Sequence, residues 1–117
     1  MVDDVAAAKA FYVARLGFRI LEEWGDAMAI VEREGLKLWL AGPSSSAARA
    51  MPNGAKPQPG GWNRIVIAVD AIDEVVAQLA AAGVGLRNPV TRGPGGAQVL
   101  IEDPSGNPIE LFEARRG

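Results

Sequence analysis

Apolar positions recur at two different spacings along this chain, and the alternation between them predicts its elements. Val5, Ala8, Tyr12 and Leu16 fall at helical spacing, with Asp3 or Asp4 placed to cap the helix and Gly17 to stop it. Ile72, Val75, Val76 and Leu79 repeat the pattern after Asp70 and before Gly83. Short runs with β-strand composition follow each helix. In the first copy they are Phe18 to Glu23, Ala27 to Arg33 and Leu36 to Ala41. In the second they are Gly85 to Val90, Ala97 to Glu102 and Pro108 to Ala114. Gly25-Asp26 and Gly35 break the first set, and Arg92 to Gly96 and Asp103 to Asn107 break the second.

The two copies superpose when Val2-Asp3-Asp4-Val5 is laid on Val69-Asp70-Ala71-Ile72, an offset of 67 residues. The second copy has a further β-branched run, Arg64 to Val69, before its helix. Its counterpart in the first copy falls ahead of Met1. The pattern predicts an α+β fold of two modules, residues 1–41 and 62–117, joined by a loop over 42–61. That loop holds Pro43, Pro52, Pro57 and Pro59 and cannot be one long helix. It reads as a linker, or as a flap over a pocket, with Met51 and Trp62 as its apolar contacts.

Composition narrows the chemistry mainly by exclusion. At 117 residues and 49% hydrophobic, the chain suits one compact domain or two half-domains sharing a core. A net charge of -2 with no basic run, Arg115-Arg116 being too short, argues against nucleic acid and anionic membrane as partners. No signal peptide or membrane anchor is readable at the N-terminus, so a cytoplasmic setting is expected. The chain has no Cys and no His, which removes thiolate and imidazole ligands and nucleophile–His pairs. Carboxylates, Arg, Lys, Tyr and backbone remain. Gly93-Pro94-Gly95-Gly96 lacks the Lys-Ser/Thr of a phosphate loop and reads as a hairpin turn.

The candidate chemistry lies on the last two strands named. Glu110 sits between Ile109 and Leu111, so on a strand it shares a face with Phe112 and opposes the two aliphatics. Arg64 shares a face with Val66 and Ala68, opposite the bulkier Ile65, Ile67 and Val69.

Two βαβββ modules ending in Asp103-Pro104-Ser105-Gly106-Asn107-Pro108-Ile109-Glu110-Leu111, with Ala10-Phe11-Tyr12 leading to Leu16-Gly17-Phe18, resemble the vicinal oxygen chelate superfamily. That superfamily includes glyoxalase I, bleomycin-resistance proteins and extradiol dioxygenases. The resemblance implies a cup-shaped mixed sheet, here with the leading strand of the first module missing, and metal ligands on the first and last strands of both modules in the enzymes. Glu110 matches one ligand position. Arg64 stands where a His is usual, and Leu38 stands at the third when Gly35-Leu36-Lys37-Leu38 is aligned on Asn107-Pro108-Ile109-Glu110. The fourth falls ahead of Met1. One carboxylate does not hold a divalent ion, and a guanidinium only donates.

The expected function is therefore metal-independent binding of a small organic molecule, with no cofactor, in a cup lined by Arg64, Glu110, Phe112, Leu38 and Trp62. A charge-assisted Arg64–Glu110 pair would stand where relatives hold metal. Glu110 as a general base is a weaker reading, because an Arg64 partner opposes it. Trp39, on the face of Lys37, is expected to point away from the cup. The alternatives are a metal-dependent lyase, isomerase or dioxygenase of the superfamily, using a divalent metal, and a purely structural module. The open edge left by the missing strand implies a homodimer.

Overall fold

The computed structural model describes residues 1–115, which fall into two compact units, Met1–Gly60 and the chain from Gly61 on. Arg116 of the Arg115-Arg116 pair lies outside the described residues. No helix among them is long and apolar enough to cross a membrane.

The first unit packs α1 (Val5–Leu16) on an antiparallel sheet in the order β1 (Arg19–Trp24), β2 (Met28–Arg33), β3 (Leu36–Ala41). Asp4 caps α1 by accepting the Ala7 N–H at 3.1 Å, and Gly17 ends it in the left-handed conformation. Ala29, Val31 and Leu40 are buried on one sheet face. That face is the one α1 covers, because Glu23, paired with Ala29, reaches Lys9 on the helix. Phe11, Tyr12 and Phe18 meet edge to face above it.

Two residues, Glu34 and Gly35, turn β2 into β3. Both have positive φ, 49° and 86°, as a type I′ hairpin demands. Glu32 braces the turn by accepting the Gly35 N–H at 3.0 Å while also receiving Arg19 Nε–H. Arg19 and that N–H hold the Glu32 carboxyl below its ordinary range.

The second unit places α2 (Ile72–Ala81) on one face of a mixed sheet in the order β4 (Ile65–Ala68), β7 (Pro108–Ala114), β6 (Gly96–Glu102), β5 (Thr91–Gly93). β4 runs parallel to β7, and the other pairs are antiparallel. Ile67, Ile72, Leu79, Val99, Ile101, Ile109 and Leu111 form its core. Each such aliphatic contributes about 1.5–3 kcal/mol when fully buried.

Several expectations are corrected. The N-cap of α2 is Ala71, with no side-chain cap, rather than Asp70. Gly85 to Val90 is not a strand, although Leu86 bridges Ile101. Pro89 lacks an N–H there, and the Asn88 side chain rather than a backbone carbonyl accepts the Leu100 N–H at 2.9 Å. Pairing resumes at Thr91–Gly93, so Arg92 and Gly93 belong to β5 and only Pro94-Gly95 makes the turn. The 42–61 loop contains one short 3-10 turn, Ser46–Ala48. Met51 and Trp62 are exposed rather than packed as its apolar contacts.

The turn into β7 is organised by Asp103, a buried carboxylate at 4% exposure. Its Oδ1 accepts the N–H groups of Ser105 and Asn107, both at 2.9 Å, and Oδ2 accepts Asn107 Nδ2–H at 3.0 Å. Gly106 takes the positive φ of 80° that the tight return requires.

Two stability measurements follow from these turns. Asp103→Ala strands three donors and is expected to lower the unfolding free energy by about 2–4 kcal/mol, read as a fall in urea midpoint at constant m-value. Glu34→Asn relieves the left-handed backbone and is expected to raise stability by about 0.5–1 kcal/mol in the same assay.

Candidate functional site

In the second unit the sheet face opposite α2 is open, and it carries the residues singled out from the sequence. Across it, Val66, Glu110 and Leu100 form one row of paired residues, and Ala68, Phe112 and Gln98 form the next. The strand period of two explains the split: Ile109 and Leu111 are buried toward the helix while Glu110 and Phe112 are half-buried on the open side.

Arg64, immediately before β4, pairs with Glu110. Its Nε–H and Nη2–H both donate to the same carboxylate oxygen, Oε1, at 3.1 and 2.9 Å. The Glu110 side chain is 12% exposed and that of Arg64 is 34% exposed, so the carboxylate is the more enclosed partner. Phe112 lies one step along the same face, and Val66 is exposed beside them.

Trp62 comes to this unit by a route the sequence did not signal. Its indole lies under the guanidinium of Arg87, whose Cζ is 4.6 Å from the ring centroid. Arg87 also donates to Gly61 O at 2.8 Å and to Gly106 O at 2.9 Å, and pairs with Glu102 at 3.3 Å. One planar fork thus ties the approach to β4 to the turn before β7. Nothing in the run Gly85 to Val90 pointed to Arg87, because its partners are backbone carbonyls on segments distant in sequence.

Leu38 is the residue whose placement differs from expectation. It pairs with Val31 and shares the α1-covered face with Ala29 and Leu40. The internal repeat shows which residue takes the place of Glu110. Val2 N–H donates to Ala41 O at 2.9 Å just as Val69 N–H donates to Phe112 O at 2.9 Å. Ala41 therefore matches Phe112, and Trp39 matches Glu110. Trp39 is 66% exposed on the open face of the first sheet, where Trp24, at 50%, also lies. It does not point away from that face. The sequence alignment was off by one residue because the turns differ in length: Glu34-Gly35 before β3, but Asp103 to Asn107 before β7. A slip of one residue exchanges the faces of a strand.

The donor set does not suit a divalent metal. Glu110 already receives a guanidinium, and its repeat counterpart is an indole. Arg64 offers donors only. No group of three or more acidic, His or Cys side chains gathers as ligands among the described residues.

Two two-layered half-folds related by an internal repeat, each with a helix on one sheet face and an open face opposite, define the class. A family model described as Glyoxalase/Bleomycin resistance protein/Dioxygenase superfamily matches residues 1–111, and the chain belongs to that superfamily. Among solved structures, the chain is similar to a lactoylglutathione lyase from Agrobacterium tumefaciens at 26% identity and TM-score 0.75, with 96% of this chain and 87% of that one covered. It is similar to TnmS3, an antibiotic binding protein from Streptomyces sp. CB03234, at 27% identity and TM-score 0.72, covering 97% and 89%. A superfamily member from Sphaerobacter thermophilus DSM 20745 matches at 28% identity and TM-score 0.75, covering 97% and 90%. No curated protein sequence matches.

Arg87→Ala is expected to destabilise the chain by about 1–3 kcal/mol through the lost carbonyl, carboxylate and indole contacts. In a background with Trp24 and Trp39 replaced by Phe, it should also red-shift Trp62 emission and lower its anisotropy. Arg87→Lys should recover little, because an ammonium cannot reach both carbonyls and the ring together.

Proposed function

We propose that this protein binds a small organic molecule without a metal, on the open sheet face that carries Arg64, Glu110 and Phe112. The observation that carries the reading is the Arg64–Glu110 pair, which occupies with a guanidinium the carboxylate that would otherwise serve a cation. The exposed Val66 and the half-buried Phe112 beside it supply surface for an organic body. TnmS3, similar over most of the chain, is itself an antibiotic binding protein, which supports the same class of activity here. Trp39 and Trp24 give the first unit's open face flat apolar surface of its own, and Leu38, on the α1-covered face, is not part of the reading.

A homodimer belongs to the same proposal. β3 is an edge strand of its sheet, and the Val2 N–H reaches only Ala41 O. The backbone groups of Lys37 and Trp39 point the same way as Ala41 O, by strand alternation, and offer an edge for a second chain.

The test is metal content by mass spectrometry on protein purified without chelator, then challenged with Ni, Zn, Mn, Fe(II) and Co, alongside a tryptophan-fluorescence screen of small molecules. The expected result is far less than one metal per chain together with saturable fluorescence changes. Near-stoichiometric metal would overturn the metal-free reading and favour the lyase, isomerase or dioxygenase chemistry of the superfamily.

A further inference from the structure

Trp24, Trp39 and Trp62 are all exposed, and one of the three already holds a cation. Trp62 takes the Arg87 guanidinium at 4.6 Å from its ring centroid. Trp24 and Trp39 have no cation and no second ring against them among the described residues. Both lie on the open face of the first sheet, in adjacent rows of paired residues. Glu22, Ile30 and Trp39 form one row, and Trp24, Met28 and Ala41 form the next.

A bulge aims these side chains. Ile20 pairs with Val31 on the α1-covered face, yet Glu22 pairs with Ile30 on the open one, because Leu21 is an extra residue between them. Without it, strand alternation would turn Glu22 and Trp24 toward the helix and Glu23 outward. With it, Glu23 reaches Lys9, and Glu22 joins the two indoles. Glu22 forms no ion pair among the described residues. The row beyond, Arg19, Glu32 and Lys37, sets its acid between two bases, with Arg19 bonded to Glu32.

Sheet spacings put the Cα atoms of Trp24 and Trp39 about 12 Å apart, across Met28 and Ile30. A cation held by two rings at the 4.6 Å seen for Arg87 needs ring centroids about 9 Å apart, which indoles leaning over the middle strand reach. Ile30 is buried and Met28 half-buried, so the floor is closed and apolar. Glu22 carries the only charge in the two rows. One carboxylate does not satisfy the three donors of a primary ammonium. It suits an alkylated one, whose charge is spread over methyl groups that pack on aromatic faces.

We infer that the open face of the first unit binds a small organic cation bearing a methylated ammonium group, held between the Trp24 and Trp39 rings with Glu22 as its counterion. All of these residues belong to the first unit, so binding at Arg64–Glu110 can fail without affecting this site.

Choline, 3,3-dimethylbutan-1-ol and 3,3-dimethylbutanoate share one head shape and differ in charge. Each is titrated into ¹⁵N-labelled protein while the three indole Nε1–H resonances are followed, assigned by single Trp→Phe variants. Choline is expected to shift Trp24 and Trp39 at concentrations about fivefold or more below the alcohol, with the carboxylate weaker still and Trp62 moving least. Glu22→Gln is expected to raise the choline half-saturation about threefold and leave that of the alcohol unchanged. Trp39→Leu should abolish the choline preference at Trp24. An alcohol that matches choline, a preference unchanged by Glu22→Gln, or Trp62 shifting as much as the other two would overturn the cation site. Trp24, which is not on the β3 edge, moving with protein concentration alone would mark the face as covered by a second copy and would overturn it as well. Retained dispersion of the core amides of Ala29 and Val31 shows that each variant is folded.

Discussion

A single buried carboxylate, that of Asp103, gathers two backbone N–H groups and a side-chain amide within five residues, and the second unit is arranged around the turn it makes. A buried acid is tolerable only when its oxygens are met by donors, and here the turn itself supplies them. Asp103 N–H in turn donates to Asn107 O, closing the loop from the other side. The strand that leaves this turn begins at Pro108 in a defined register, so Ile109 and Leu111 go to the core and Glu110 to the open face. A shift by one residue would bury the carboxylate and expose two aliphatics.

Arg87 carries the influence of that turn to the other side of the site. Its guanidinium reaches Gly106 within the turn, Glu102 before it, and Gly61 and Trp62 on the approach to β4. Arg64 follows two residues after Trp62, and it meets Glu110 two residues after Pro108. The pair at the centre of the face is therefore held at both ends by the same network. Arg rather than Lys suits this place, because one planar fork can serve two carbonyls, a carboxylate and an aromatic ring together.

The internal repeat shows how one scaffold presents different chemistry on its two open faces. Where the second unit has Glu110, the first has Trp39, and both positions lie on the strand whose edge meets β4 or the Val2 N–H. An indole at this position offers apolar surface and no metal ligand, and the Glu110 carboxylate at the other is neutralised by Arg64. These residue types are what the proposed binding of an organic molecule would use, although fold alone would permit either.

Much of this protein could be read directly from its residues. Helical spacing at Val5 to Leu16 and at Ile72 to Leu79, the glycine stops and the alternation in Pro108 to Ala114 are local signals, and they place both helices, most strands and the Arg64–Glu110–Phe112 face. The superfamily motif around Asp103 to Leu111 was equally legible. What the sequence could not decide was anything set by pairing across distance. The place of Trp39 opposite Ile30, the failure of Gly85 to Val90 to form a strand, and the capture of Trp62 by Arg87 depend on turn lengths and backbone partners. Those partners are brought together only when the sheets close. Side-chain periodicity is written along the chain, whereas register is a relation between segments, and only the tertiary structure supplies the second segment.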